Sequence, residues 1–337
     1  MAKKIVITGG GTGGHLSIAK SFMEELSKRG VDLIYIGSNS GQDRLWFKNE
    51  NIFSKKIFLD SHGVVDKKGL KKLGSIINIL KLANESKNII KKNRIDAIIS
   101  VGGYSAAPAS FAAILTNTPL YIHEQNAIMG KLNKILSPFA KRVFCSFRYP
   151  FDPYPISEDF FKNRRVRKEV KRVIFLGGSQ GAKQINDFAL GVAKDLQKRE
   201  IKIIHQTGKY DFKRVVLEYE KLGIKADIFD FSKDLAQKIS GSDFAVSRAG
   251  ASTLWELAAN AIPTLFIPYP YAAKNHQEFN ARFLVEKKAA FLYDEKLGKK
   301  QLFNIIDNDI SNISQRLFSL VKNSGSKEII DKILKDI

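Results

Sequence analysis

One cysteine, Cys145, stands alone in 337 residues, so no internal disulfide can close and a reducing compartment is expected. No apolar run approaches the roughly 20 residues that a membrane-spanning helix needs. Met1-Ala2-Lys3-Lys4 leads into a short apolar strand rather than a secretory leader. These absences predict a cytoplasmic protein, soluble or peripheral to a membrane. The five histidines, His15, His62, His123, His205 and His276, are scattered, with no H-x-x-x-H pair and no cysteine cluster; no metal site is expected. Acidic side chains are scarce, 34 against 55 Lys and Arg, for a formal net charge of +21. Such an excess fits a nucleotide, a nucleic acid or an anionic lipid surface as partner, or only a lysine-rich solvated surface. No helix-turn-helix, RNA-binding or zinc-finger pattern accompanies it, which argues against nucleic acid.

What is present is an ordinary globular composition, 44% hydrophobic and 26% charged, on a chain long enough for two domains. Apolar, Ile- and Val-rich runs alternate with helical stretches: "KKIVIT", "VDLIYIG", "IDAIISVGG", "PLYIHEQN" and "RVFCSF". That alternation predicts an α/β fold with a parallel sheet wound on both faces. Near residue 150 the pattern breaks in "FRYPFDPYPISEDFF", whose Pro150, Pro153 and Pro155 mark an interdomain linker. A second series starts at "KRVIFLGGSQGAKQINDFAL". Both halves share one plan: strand, glycine-rich turn, helix.

"ITGGGTGGHLSIA" follows the first strand, and Gly9, Gly11 and Gly14 satisfy G-x-G-x-x-G. Glycines let an anion approach the backbone, and a helix start offers unpaired N–H groups to it. A dinucleotide site would also need an acid at the end of the second strand. That strand ends in Gly37-Ser38-Asn39, with Asp32 at its other end, so another phosphate ligand is expected. His15, at the helix start, is either a solvent-facing residue or a base; a neutral imidazole there can take a proton from an attacking hydroxyl. In the second half, Ser179 and Gln180 sit at the matching turn. Glu256 follows a capped helix start at Ser252-Thr253; it is either a ligand for a ribose diol or a helix-end charge favoured by the dipole. Asn275, His276, Gln277 and Asn280 surround another helix start, where amides can read sugar hydroxyls.

Six motifs in order, "GGGTGGH", "GGYSAAPA", "IHEQN", "GGSQGA", "SRAGAST…E" and "NHQ..NA", make the chain resemble the bacterial cell-wall N-acetylglucosaminyltransferases of glycosyltransferase family 28. The resemblance covers nearly the whole chain. It implies a GT-B fold, two Rossmann-like domains facing across a cleft. Residues 1–152, with the tail 323–337 crossing back, would form the acceptor and membrane-facing domain; residues 153–322 would bind the UDP-sugar. The implied reaction is inverting and metal-independent, with no cofactor. N-acetylglucosamine moves from UDP-N-acetylglucosamine to the 4-hydroxyl of an undecaprenyl-linked muramyl-pentapeptide, at the cytoplasmic face of the inner membrane.

By this resemblance Thr12, Gly13, Gly14 and Asn126 bind UDP-N-acetylglucosamine from the first domain, Thr12 and His15 near the diphosphate and acceptor, with His15 the candidate base and Glu124 a second. Gly10, Gly11, Gly178 and Gly181 form the diphosphate loops, and Ser179 meets the diphosphate. Ser232 offers its backbone to uracil, Glu256 takes the ribose, and His276 and Gln277 address the sugar. The chain departs from the family pattern at "HLSIA", which lacks a proline, and at Asn275, where an aspartate is usual. Ser157 stands where a donor-contacting arginine is expected, leaving Arg164 and Arg165 as the nearby candidates. Between Lys67 and Arg94, Lys71 and Lys72 join other lysines interleaved with Leu73, Ile76, Ile77 and Leu80 at helical spacing. A lipid-linked acceptor makes this stretch a membrane patch rather than only a core-facing helix. A diacylglycerol glycosyltransferase of the same fold is the alternative activity.

Overall fold

The computed structural model describes residues 2–63, 69–178 and 181–337, with side chains described outside 69–72 and 273. Ser179, Gln180, Lys67 and Lys68 therefore lie outside the described residues, as do the side chains of Leu70, Lys71 and Lys72. Contacts divide the chain into two compact units, Met1–Ile156 with Ser324–Ile337, and Ser157–Asn323.

The first unit carries β1 (Lys4–Thr8), α1 (Gly13–Ser27), β2 (Asp32–Ser38), α2 (Asp43–Phe47), β3 (Lys55–Leu59) and α3 (Gly69–Asn93). β4 (Ala97–Ser100), α4 (Ala107–Thr116), β5 (Leu120–Glu124), α5 (Lys131–Leu136) and β6 (Arg142–Cys145) follow. Among the described residues its strands form one six-stranded sheet in the order β3-β2-β1-β4-β5-β6, parallel throughout. Ile5, Val6 and Ile7 are all fully buried, because helices cover both faces of a parallel sheet. α4 stops where Asn117 turns left-handed and α3 packs along α4.

The second unit repeats the plan with β7 (Arg172–Leu176), α6 (Lys183–Lys198), β8 (Lys202–Gln206), α7 (Phe212–Leu222), β9 (Ala226–Phe229) and α8 (Leu235–Ser240). Then come β10 (Phe244–Ser247), α9 (Ala251–Ala259), β11 (Thr264–Phe266), α10 (His276–Glu286), β12 (Phe291–Leu292), α11 (Lys300–Ile306) and α12 (Ser311–Leu320). The described strands run β12-β11-β10-β7-β8-β9, again parallel. α6 shows why the helices dock: Ile185, Phe188, Ala189, Val192, Ala193 and Leu196 recur at three- and four-residue spacing and are buried.

Each sheet has the doubly wound order in which the first and fourth strands of the unit are neighbours. Crossovers leave that pair in opposite directions, which opens a crevice at the strands' carboxyl ends, where ligands bind in such folds. The pairs here are β1/β4 and β7/β10. The last helix, α13 (Gly325–Asp336), belongs to the first unit. It packs on α1 through a buried Ser21–Ser326 hydroxyl pair at 2.6 Å and an Arg29–Asp331 ion pair at 2.7 Å.

Candidate active site

At the β1/β4 crevice, two glycine loops interlock. A Cβ on Gly9 would strike the carbonyl oxygen of Gly102, and one on Gly103 would strike that of Gly10. Gly11, at φ +82°, has the Tyr104 ring 2.6 Å from where a Cβ would stand. These glycines serve close backbone packing. The Gly10 amide donates to Gly102 O at 3.1 Å and the Gly11 amide to Asp43 Oδ2 at 2.6 Å. Both amides expected to face a phosphate thus have acceptors inside the protein. Gly13 differs: its Cβ position meets only Gln42 and Trp46 side-chain atoms, at 3.5 and 3.8 Å. As the first residue of α1 it presents an N–H with no intrahelical acceptor. The open part of this loop is thus the first helical turn.

That turn carries His15. Its Nδ1 lies 3.0 Å from Thr12 Oγ1 and its Nε2 lies 2.9 Å from Gln125 Nε2. With the Gln125 NH2 turned to the ring, Nε2 is the accepting nitrogen and Nδ1–H points to Thr12; with that amide turned over, the roles reverse. Two polar side chains thus fix the imidazole ring at the start of α1, one on each ring nitrogen. Behind it His123 is buried between Phe22 and Tyr154, and burial, then the nearby His15, pushes its pKa down to about 3. Glu124 is buried, and its carboxylate accepts from the amides of Asn126 and Gly130 and from Asn133 Nδ2, each at 2.9 Å. Those bonds organise the Asn126 loop. They leave Glu124 poorly suited to the second-base role expected from the sequence.

At the β7/β10 crevice, Gly177 and Gly181 pack closely, with Ala182 N at 2.9 Å and Thr207 O at 2.5 Å from their Cβ positions. Among the described residues nothing lies within 4 Å of a Cβ placed on Gly178, at φ +78°, or on Gly250, which caps α9. Asp211, just before α7, is engaged by Arg214 (2.5 and 2.6 Å) and by Asn186 (2.7 Å). Along α9, Ser252, Thr253 and Glu256 form the partly exposed stripe of an otherwise buried helix. Among the described residues no hydrogen-bond or ion-pair partner serves the Glu256 carboxylate, and burial pushes its pKa up to about 7. Arg167 fixes the far end of α9. Its buried guanidinium binds Asn260 O, Asn260 Oδ1 (2.5 Å) and Ser242 O (3.2 Å), and burial lowers its pKa to about 9.

Arg248, after β10, clamps Ile267 O (2.9 Å) and Pro268 O (2.8 Å), while Asn280 holds Ala249 O at 3.1 Å. Gln277 Oε1 accepts from the Tyr269 amide at 2.9 Å, so its amide shapes the loop after β11. His276 opens α10 beside a left-handed Asn275. Ser232 lies in the loop after β9, its hydroxyl accepting from Asp234 N at 3.0 Å. Both arginines that could replace the family arginine have partners within the second unit. Arg164 donates to Phe318 O (2.7 Å) and Lys322 O (3.1 Å), and Arg165 pairs with Asp243 at 2.7 Å. Ser157 caps a short helical turn. Sequence reasoning missed Asp43 and Gln125. Gln125 had a signal, a polar residue at the carboxyl end of a strand beside the crevice; Asp43 had only the look of a helix-start acid.

On α3, Leu73, Ile76, Ile77 and Leu80 are 41–59% exposed, while Leu82, Ala83 and Ile90 are buried. No helix among the described residues is long and apolar enough to cross a membrane. No described group of three or more His, Cys, Asp or Glu side chains is placed to hold a metal ion.

Comparison with known proteins adds independent findings. The glycosyltransferase family 28 N-terminal domain matches residues 5–145 and the family 28 C-terminal domain matches residues 172–335. The chain is 54% identical over 334 residues, 99% of both chains, to a Nitratiruptor protein. It is 53% identical over 333 residues to one from Campylobacter fetus, covering 98% of this chain and 99% of that one. Both are named UDP-N-acetylglucosamine–N-acetylmuramyl-(pentapeptide) pyrophosphoryl-undecaprenol N-acetylglucosamine transferase. The crystal structure of Acinetobacter baumannii MurG superimposes with a TM-score of 0.77 at 27% identity, covering 99% of each chain.

Proposed function

The chain belongs to glycosyltransferase family 28, and from that premise we propose that it moves N-acetylglucosamine from UDP-N-acetylglucosamine to the 4-hydroxyl of undecaprenyl-pyrophosphoryl-N-acetylmuramyl-pentapeptide, a step of peptidoglycan synthesis. The observation that carries the donor half is Glu256, a carboxylate with no partner among the described residues, raised to about 7 by burial. A vicinal ribose diol supplies the two donors that such a group lacks. Beside it, the N-termini of α6 and α9 and the glycines Gly178 and Gly250 suit a diphosphate. Ser179 belongs with that diphosphate, the Ser232 backbone with uracil, and His276 with the sugar, where Gln277 shapes the adjoining loop.

The first unit supplies the acceptor side through Thr12, the first turn of α1 and the Asn126 loop. In the transfer, the acceptor oxygen bonds to the anomeric carbon as the bond to the β-phosphate oxygen breaks and its electron pair leaves on UDP. The hydroxyl proton goes to His15 Nε2, the acceptor hydroxyl taking the place of the Gln125 amide. Helix N-termini aimed at the diphosphate stabilise the departing charge. The exposed apolar side chains of α3, set among lysines, form the surface that meets anionic lipid, each nearby cation contributing about 1 kcal/mol.

Purified protein given UDP-N-acetylglucosamine and a soluble lipid I analogue is expected to release one UDP per disaccharide formed. Turnover with diacylglycerol but not with the muramyl acceptor would overturn the assignment. Anionic vesicles tested by flotation are expected to hold the parent and to release a Leu73→Glu/Ile77→Glu/Leu80→Glu variant; equal binding removes α3 from the membrane role.

A further inference from the structure

Asp43 has no function in the reaction as drawn so far. It is fully buried, at the first position of α2. Its Oδ2 accepts from the Gly11 amide at 2.6 Å, and its Oδ1 from the Ser38 amide at 2.9 Å, with the Tyr35 hydroxyl at 3.1 Å. The Tyr35 hydroxyl also reaches Gly9 O at 2.9 Å. No Lys or Arg pairs with Asp43 among the described residues. A helix-start acid normally turns to its own helix; this one reaches back 32 residues to the glycine loop. Gly10 and Gly37 are cut to fit it, since a Cβ on either would lie 2.6–2.7 Å from Asp43 Oδ1. A buried carboxylate without a cation is costly unless its hydrogen bonds are complete, and here backbone amides largely complete them.

In related doubly wound folds a ligand phosphate draws the loop amides into place. Here a side chain of the protein already does so. We propose that Asp43 is a positioning residue for the transfer reaction: a resident anion that occupies the glycine-loop amide, fixes the first turn of α1, and so presets Thr12 and His15 before any substrate binds. This rests on the acceptor-side role given above to His15.

Asp43→Asn replaces one acceptor oxygen by an NH2 group, which must face an amide donor. The variant is expected to keep the parental far-ultraviolet circular dichroism spectrum and its UDP affinity within about twofold, while kcat falls about 100-fold and the donor KM barely moves. Hydrogen exchange at the Gly11 amide is expected to quicken at the same time. Should Asp43→Asn fail to fold, Tyr35→Phe, which removes one donor, is expected to lower kcat about fivefold at unchanged UDP affinity. Parental kcat in Asp43→Asn or, failing that variant, in Tyr35→Phe overturns the proposal, and so does a loss confined to the donor KM. Failure of the parental chain to use the lipid I analogue counts instead against the transferase assignment, and leaves the exchange of Gly11 to test the lock.

Discussion

The two crevices start from one sequence plan, strand, glycines, helix, and arrive at opposite electrostatics. In the first unit an unpaired acid at the start of the second helix turns onto the glycine loop. In the second unit the acid at the corresponding place, Asp211, is neutralised by Arg214 and tied to Asn186. Asp43 therefore occupies the first loop, whereas among the described residues nothing lies within 4 Å of a Cβ placed on Gly178. The lesson is physical: one glycine-rich plan can be closed by an acid of the protein itself or left without one.

Removing the base should separate the crevices most sharply. His15→Ala is expected to lower kcat about 10³-fold with UDP affinity within about twofold; a parallel loss of affinity would mean that the first unit also holds the nucleotide. Alanine at the two kinds of glycine comes next. Gly9→Ala, driven against the Gly102 carbonyl, is expected to cost about 3 kcal/mol in chemical denaturation. Gly178→Ala should cost about 1 kcal/mol, from its positive φ alone, while weakening UDP binding.

Glu256→Ala is expected to cost about 2 kcal/mol of UDP affinity by calorimetry. Its pH dependence has a defined sign. The ordinary value of the carboxyl is 4.5 and burial raises it to about 7 in the folded chain. Below pH 4.5 both states are protonated; as pH rises through 7 the unfolded chain ionises first, so this group's contribution to stability is lost across that window. UDP affinity runs the other way, because diol donors favour the carboxylate. It should fall as pH drops below about 7, and Glu256→Gln should flatten that profile. The smallest effect is expected from Arg214→Ala, which bares Asp211 and makes the second loop resemble the first. UDP affinity should weaken about fivefold at low salt, and less at high salt.

Much of this was legible before any coordinates. Ile- and Val-rich runs between helical stretches gave the doubly wound sheets, and Gly37-Ser38-Asn39 at the end of β2 argued against a dinucleotide. Glu256 was visible as a helix-start carboxylate, although only folding shows that it lacks a partner among the described residues. The glycines were harder. Sequence gives φ freedom but cannot tell a ligand's approach from that of another backbone, and Gly9, Gly10, Gly11 and Gly103 meet backbone, Asp43 or Tyr104. Asp43 was hidden because its partner lies a helix and a strand away, 32 residues earlier, and Arg164 misled because its carbonyl partners, at and just beyond the end of α12, are set by tertiary packing.

Helix α13 carries a consequence for synthesis. Ile329, Ile330 and Ile333 are buried within the unit that begins the chain, and Gly325 N donates to Tyr154 O at 2.8 Å. This unit is therefore begun before the other and completed after it. Its final helix emerges only after every residue of the other unit has been made, so a nascent chain stalled near its end is incomplete at its beginning.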